Sequence, residues 1–464
     1  MRQPLFDVSS SLSSNNVSFG TFTKESITTY LNSPSSNEKN LRNASRHIYS
    51  SDSHYYRLIQ YYANLFKWCY IILPIDNDPE KIKSESFKKS YLKTALNLQR
   101  MNIRHEFSKA AAICLRDGIF YGMSWTDSKN NFFIQPINPD YCKLKDVVDG
   151  VYSYAIDMSQ IKESDLYLYP QQVTKMYQDY KTTRIKYQVV PDEISWCIKA
   201  DETENRYSIP PWTSVLASLI DIESYKALQE TSTEIENYKM IHGQVPTDSA
   251  GAPTIPGPDV TRYYEQLCNA VPRQIGVSVT PFNINSVNFD QSGSTNSIDT
   301  VGRSLAQFWA EVGSPAPLHG AANDTAGAIK LAIKSDEMLS FALAEQVQRL
   351  INLHLKLASG SIKFRIQFLP VTVFNEEEVV KLYKEAGTYG FAKSLYPAAL
   401  GLQPFDVASL NVIESEILSF DELTPLSNTH TMTAENEVGR PSANETDLSE
   451  SGEETRDTDA NENR

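Results

Sequence analysis

Histidines, cysteines and paired carboxylates are the side chains that most often carry chemistry, and in this sequence they do not converge. The seven histidines (His47, His54, His105, His242, His319, His354 and His430) are dispersed, and no two stand four apart. The i, i+4 pair with which a helix holds zinc is therefore missing. His105-Glu106 is a lone dipeptide. The acid groups Asp336-Glu337 and Glu376-Glu377-Glu378 read as helix-face or first-turn charges, which the helix dipole favours without any catalytic role. Cys69, Cys114, Cys142, Cys197 and Cys268 are odd in number, widely spaced and free of a CxxC pair, so neither a disulfide framework nor a zinc site is indicated. Four of them sit among apolar or aromatic neighbours and are expected to be buried thiols. The phosphate loop GxxxxGK[ST], GxGxxG after a strand, HExxH and GxSxG do not occur. No catalytic, cofactor-binding or metal-ligating residue is assigned, and no cofactor is expected. What remains is electrostatic. Lys330 and Lys334, one helical turn apart, can either face phosphates or stand on a solvated helix face, paired with Asp336 or Glu337.

The elements that must position these groups belong to a chain of 464 residues with 43 Lys+Arg, 57 Asp+Glu and a formal net charge of −14. A hydrophobic fraction of 41% and a charged fraction of 22% suit a chain with a real core. The acidic balance argues against a protein that coats nucleic acid through a strongly basic face, because such binding rests on releasing counterions with Lys and Arg. The charge is uneven. Thr424–Arg464 holds ten acids and three bases, so this stretch carries −7 and the rest of the chain −7. Without aromatic residues it cannot bury enough surface to offset the entropy of ordering, and residues 424–464 are expected to be a disordered, solubilising acidic tail. The start, MRQPLFDVSSSLSSNN, has no apolar core long enough for a signal peptide. No uncharged apolar run reaches eighteen residues, so no membrane span is expected.

Periodicity orders the rest. Residues 1–33 are rich in Ser, Thr and Asn and read as a loose lead-in. Helices follow at about Ser36–Tyr49, His54–Cys69, Glu85–Arg100 and Ile103–Arg116. Gly118 switches the period from 3.6 to 2, and IFYGMSWTDSKNNFFIQPINP reads as a hairpin turning at Asp127–Asn131. Further strands are predicted at Val151–Ile156, Ile185–Val190 and Glu193–Ile198, with a helix near Pro170–Tyr180. Ile209-Pro210-Pro211 punctuates the chain before a long helix over Trp212–Ile241. After the Pro/Gly-rich GQVPTDSAGAPTIPGP come a short helix (Asp259–Asn269) and two strands, Ile275–Thr280 and Asn285–Phe289. A helix at Ile298–Val312, the loop GSPAPLHGAANDTAG and a very long helix at Ala328–Ala358 follow. The strand Lys363–Phe368 and helices at Glu376–Glu385 and Ser409–Leu418 close the folded part. The fold class is α+β, predominantly helical. The two long helices exceed the usual globular length and need neighbours along their whole extent, which copies of the same subunit would supply.

In this order the elements and several phrases resemble the portal proteins of tailed bacteriophages, over roughly residues 35–420. RNASRHIYSSDSHYYRLIQYYANLF and FYGMSWTD…FFIQPINPDYC look like the family's early wing helices and wing hairpin. IPPWTSVLASLIDIESYKALQETSTEIENYK is similar to the first stem helix, and GAIKLAIKSDEMLSFALAEQVQRLINLHLK resembles the long wing helix. The resemblance implies a subunit with a flexible arm (1–34), an α+β wing (35–210), a first stem helix (211–242), a small α/β clip (243–294) and a second stem helix (295–312). A tunnel loop (313–327), a long wing helix and strand (328–370) and a short helical crown (371–423) would follow. It implies a dodecameric ring at one capsid vertex, made in the host cytoplasm and carried in the virion, through which double-stranded DNA passes. The implied partners are the terminase large subunit, the major capsid and scaffolding proteins and then a neck or tail adaptor, with no membrane and no enzymatic activity.

The residues agree with such a role where they can be read. A conduit should not grip its cargo, and a neutral or acidic wall lets DNA slide. Gly313, Ser314, Pro315, Pro317, Gly320 and Gly327 suit a projecting loop. His319 reads as a loop residue, and Asn323, Asp324 and Thr325 as caps of the long helix. Ser314, Pro315, Pro317, His319, Gly320, Asn323 and Thr325, with Lys330 and Lys334, form the candidate DNA-facing set. Gln244, Thr247, Asp248, Arg262 and Arg273 are the candidate docking residues of the clip, whose stretch Gln244–Pro258 has the composition of an exposed loop. Two other readings remain open: another head–neck protein of similar helical build, or a nucleic-acid-processing enzyme built from scattered carboxylates.

Overall fold

The structure, a computed structural model, describes residues 22–418 apart from 77, 127–131, 204–205, 223–224, 227–239, 250–251, 271–275, 281–294, 315–317, 319–325, 359 and 361. The expected acidic tail and the strand at 285–289 lie outside the described residues. Two units are defined, dividing after Phe405.

The first unit begins with a helix. The lead-in expected to be loose contains helix α1, Lys24–Leu31, closed by a reciprocal capping box between Thr23 and Ser26. Its Ile27 is fully buried, which a Ser/Thr-rich composition hides. Helices α2 (Glu38–Ser51) and α3 (Ser53–Leu65) meet at Asp52, whose carboxylate accepts the Tyr55 amide at 2.7 Å and caps α3. Strand β1 (Tyr70–Pro74) was not foreseen; its apolar run follows a helix directly and reads as its continuation. After the single turn α4 (Pro79–Ile82) come α5 (Glu85–Arg100) and α6 (Ile103–Asp117).

Gly118 ends α6 at φ 86°, and a Cβ there would lie 2.4 Å from the Ile209 carbonyl carbon, so only glycine lets the two backbones cross. The expected hairpin forms from β2 (Ile119–Thr126) and β3 (Phe132–Ile137). Strands β4 (Cys142–Val148) and β5 (Val151–Asp157) make a second hairpin through Asp149-Gly150, both at positive φ. After helix α7 (Gln171–Thr183), strand β6 (Tyr187–Val189) joins β5, giving the order β4-β5-β6. Strand β7 (Ser195–Lys199) joins β2, giving β3-β2-β7.

The helix predicted over Trp212–Ile241 begins with a tight turn at Thr213–Val215 and continues as α8 over 216–222. Its predicted end is overturned: Met240–Gln244 is a strand, β8, paired in parallel with β9 (Gly276–Thr280) across helix α9 (Gly257–Ala270). Gly243 is a poor helix residue, and a ladder formed with a distant strand overrides the local apolar spacing. The partner of β9 is thus β8. Helix α10 (Thr295–Val312) ends in a left-handed Gly313, whose amide donates to the Trp309 carbonyl at 3.0 Å. Helix α11 (Ala326–Leu357) has 32 residues and spans about 48 Å. Strand β10 (Phe364–Phe368) returns to pair antiparallel with β1, Tyr70 opposite Phe368. Helices α12 (Glu376–Thr388) and α13 (Leu395–Ala399) follow. The second unit is described to Leu418; α14 (Pro404–Val412) leads into it and passes to a wide π-turn, Ile413–Ile417.

The main core gathers Tyr55, Leu58 and Ile59 of α3, Phe107, Ala110 and Cys114 of α6, and Val347, Leu350 and Ile351 of α11. A second core lies between the two three-stranded sheets and α7, around Tyr121, Met123, Tyr154, Ile156 and Val173. Cys69, Cys114, Cys142 and Cys197 are buried as expected, and Cys268 is exposed. Burial pushes the Cys69 thiol up to about 11. Among the described residues no helix is long and apolar enough to cross a membrane.

Candidate functional site

The candidate DNA-facing set sits where α10 passes into α11, and α3 holds that junction. Along α3, His54, Arg57, Tyr61 and Tyr62 stand at i, i+3, i+7 and i+8, so they share one face. The His54 ring meets Trp309 of α10 edge-on at 6.2 Å. Arg57 Nη2 donates to the Leu318 carbonyl at 3.1 Å. Tyr61 and Tyr62 donate their hydroxyls to the two oxygens of Asp336, at 2.9 and 2.7 Å. Ser314 donates to the same carboxylate at 3.3 Å. One turn further along α11, the Ser340 hydroxyl donates to the Tyr62 carbonyl at 3.3 Å.

Burial raises the Asp336 pKa above the usual carboxylate range, although three hydroxyls bond to its charged form. Burial, reinforced by Asp336, also pushes both tyrosine phenols up. Neighbouring Glu337 is buried too and accepts the Thr372 hydroxyl. This settles one alternative for the lysines. Lys330 and Lys334 are exposed, and no ion pair joins them to Asp336 or Glu337, because both acids turn inward to hydroxyl donors.

Ser314 is therefore an anchor, 4% exposed, at the base of the loop. Pro315, Pro317, His319, Gly320, Asn323 and Thr325 lie outside the described residues, as does the capping role expected of Asn323, Asp324 and Thr325. Arg57, Tyr61, Tyr62 and Asp336 were not singled out as loop anchors. Their signal was present in the polar spacing on α3, but nothing local says which distant segment that face meets.

The clip candidates are separate. Gln244 ends β8 opposite Thr280. The following stretch is closed by its backbone: Thr247 bridges Pro253, the Asp248 amide donates to the Ala252 carbonyl at 2.9 Å, and the Thr254 amide donates to the Pro246 carbonyl at 2.8 Å. The Asp248 carboxylate accepts the Ala252 amide at 2.9 Å. Arg262 lies on α9, 3.8 Å from Asp259 and over the Tyr263 ring. Arg273 lies outside the described residues. Among the described residues no group of three His, Cys, Asp or Glu side chains is placed to hold a metal ion.

No family model and no curated protein matches this sequence. Among solved structures, the chain is similar to one described as the neck of a native GTA particle computed with C12 symmetry, with 13% identity and a TM-score of 0.43. The alignment covers 79% of this chain and 94% of that one. A likeness of this size assigns no role to the chain.

Proposed function

We propose that this protein is a structural ring subunit of a phage head–neck, and specifically a portal: a dodecamer that conducts double-stranded DNA and docks the packaging terminase and later a neck adaptor. One observation carries the reading. Helix α11 is far longer than the body that covers it. From Gly327 to Ser335 none of its described residues is buried, and Leu331 is 73% exposed, whereas Leu343, Ala344, Val347 and Ile351 are buried. A helix of 32 residues whose first turns bring no described residue to full burial, Ile329, Ala332 and Ile333 being half-buried, has room for a neighbour to pack on them, and identical neighbours in a closed ring provide it repeatedly.

In this reading the segment between α10 and α11 is the tunnel loop, and its described residues Ser314 and Leu318 are tied to Asp336 and to Arg57 of α3. Lys330 and Lys334 give it a modest positive charge on a body that carries −7 outside its tail. A loop so modestly charged steers DNA past it without holding it. Capsid and scaffolding contacts belong to the outer body, and the β8-α9-β9 unit is the docking end. Light scattering and negative-stain electron microscopy of the purified protein test the reading. Rings of about twelve subunits are expected by that symmetry, and a stable monomer at micromolar concentration would overturn it.

A further inference from the structure

The segment Lys81–Lys109 reverses the charge of the chain around it: eight bases and two acids give it +6 in a protein of −14. On α5 the burial pattern says where those charges point. Phe87 and Tyr91 pack edge-on against Phe364, and Ala95 and Leu98 are buried, so the inner face is i, i+4, i+8, i+11 from Phe87. Lys89, Lys93 and Arg100 repeat the same spacing on the opposite face, and all three are exposed. They lie about 6 and 10 Å apart along the helix axis. Lys83 and Lys88 flank them, and Arg104 follows at the start of α6; these too are exposed.

None of these six cations has an ion pair with a described residue, in contrast to Lys81, which holds Asp76 and Asp78, and Lys109, which holds Glu106. Arg104 also lines an open groove of ≈ 590 Å³ whose other walls include Asn64, Asn102, His105 and Ser108, all hydrogen-bonding side chains. No large apolar side chain is exposed between Pro79 and Thr126 among the described residues.

We infer that this face binds the phosphate backbone of double-stranded DNA. A protein partner would need an apolar anchor at the centre of its footprint, and along Lys83–Arg100 no large apolar side chain is exposed. A phosphodiester strand needs what is present: unpaired cations at regular intervals, with amide and hydroxyl donors beside them and no demand for base contacts. The inference rests on charge and exposure and is independent of the portal reading, since a monomer that bound DNA here would refute that reading and leave this one intact.

The test is fluorescence anisotropy of the full chain with two labelled duplexes of unrelated sequence, titrated over a range of salt. The Lys89→Gln/Lys93→Gln/Arg100→Gln variant should lose at least about tenfold in affinity for both duplexes at low salt, and its log–log salt slope should shrink by about three. Its circular dichroism and thermal midpoint should match the parent, because the substituted side chains are exposed. A control with the same charge change on other exposed residues, Lys381→Gln/Lys384→Gln/Lys393→Gln, should keep most of the affinity. Unchanged binding in the first variant, an equal loss in the control, or tighter binding of poly-L-glutamate than of duplex through the same three residues would each overturn the proposal.

Discussion

The body and the β8-α9-β9 unit are built on opposite terms. In the body, charge is paired inside apolar surroundings. Asp117, 1% exposed, takes Arg46 at 3.0 and 2.7 Å and Arg116 at 2.8 and 3.1 Å, while Arg42 donates to the Asp117 carbonyl and to Asp140. In the β8-α9-β9 unit, helix α9 buries none of its side chains. The body is stabilised by its own core, whereas α9 leaves Tyr263 and Tyr264 49% and 41% exposed and draws little on apolar burial.

The sharpest way to break this contrast is at Asp117. Burial opposes its charge, but Arg46 and Arg116 outweigh burial and hold the carboxyl below its ordinary range. Its stabilising effect is present above the ordinary carboxylate pKa and is lost as pH falls through the lowered value. Asp117→Ala leaves two guanidiniums without their buried partner and should cost about 4 kcal/mol, read as a fall in thermal midpoint. A loss under about 1 kcal/mol would mean that the cluster is incidental to the body.

A somewhat smaller effect is expected at His354, whose ring stacks on Trp196 at 3.9 Å and donates from Nε2 to the Ser195 carbonyl at 3.1 Å. Burial lowers its pKa to about 4, from the ordinary 6.5. The neutral ring is therefore compatible with the fold above pH 6.5, and stability is lost as pH falls from there toward 4, by about 3 kcal/mol across the window. Urea midpoints measured from pH 7.5 down to pH 4 should show that slope in the parent and a flatter one in His354→Phe. Equal slopes would remove His354 from the account.

The smallest effect should come from the exposed unit. Arg262→Ala removes only a 3.8 Å surface pair and a cation–π contact, and should change unfolding by less than about 0.5 kcal/mol. A loss above about 1 kcal/mol would show that α9 has support of its own and would weaken the comparison.

Sequence reasoning reached these two regions unequally, for physical reasons. Helices with a strong apolar face, such as α5 and α6, were legible nearly to the residue, because burial on one side writes a 3.6 period. Strands recruited from afar were not: β1 and β8 follow or end apparent helices, and only β10 and β9, far along the chain, make them strands. Strand β4 is legible locally, since Asp149-Gly150 between apolar runs is a strong hairpin signal. The loop between α10 and α11 was legible by composition, but its anchors on α3 were not, because Tyr62 and Asp336 are 274 residues apart. The basic face of α5 could have been found by counting charge along segments rather than over the whole chain.

The β1–β10 pair has a consequence in time. A ribosome that has made Tyr70–Pro74 must add nearly three hundred further residues before Phe364–Phe368 arrives to close the ladder. The β8-α9-β9 unit, whose strands are joined through a single helix, can form while that closure is still pending. The β8-α9-β9 unit therefore precedes the sealing of the body, and synthesis itself imposes an order: the β1–β10 ladder closes only once the last strand is in place.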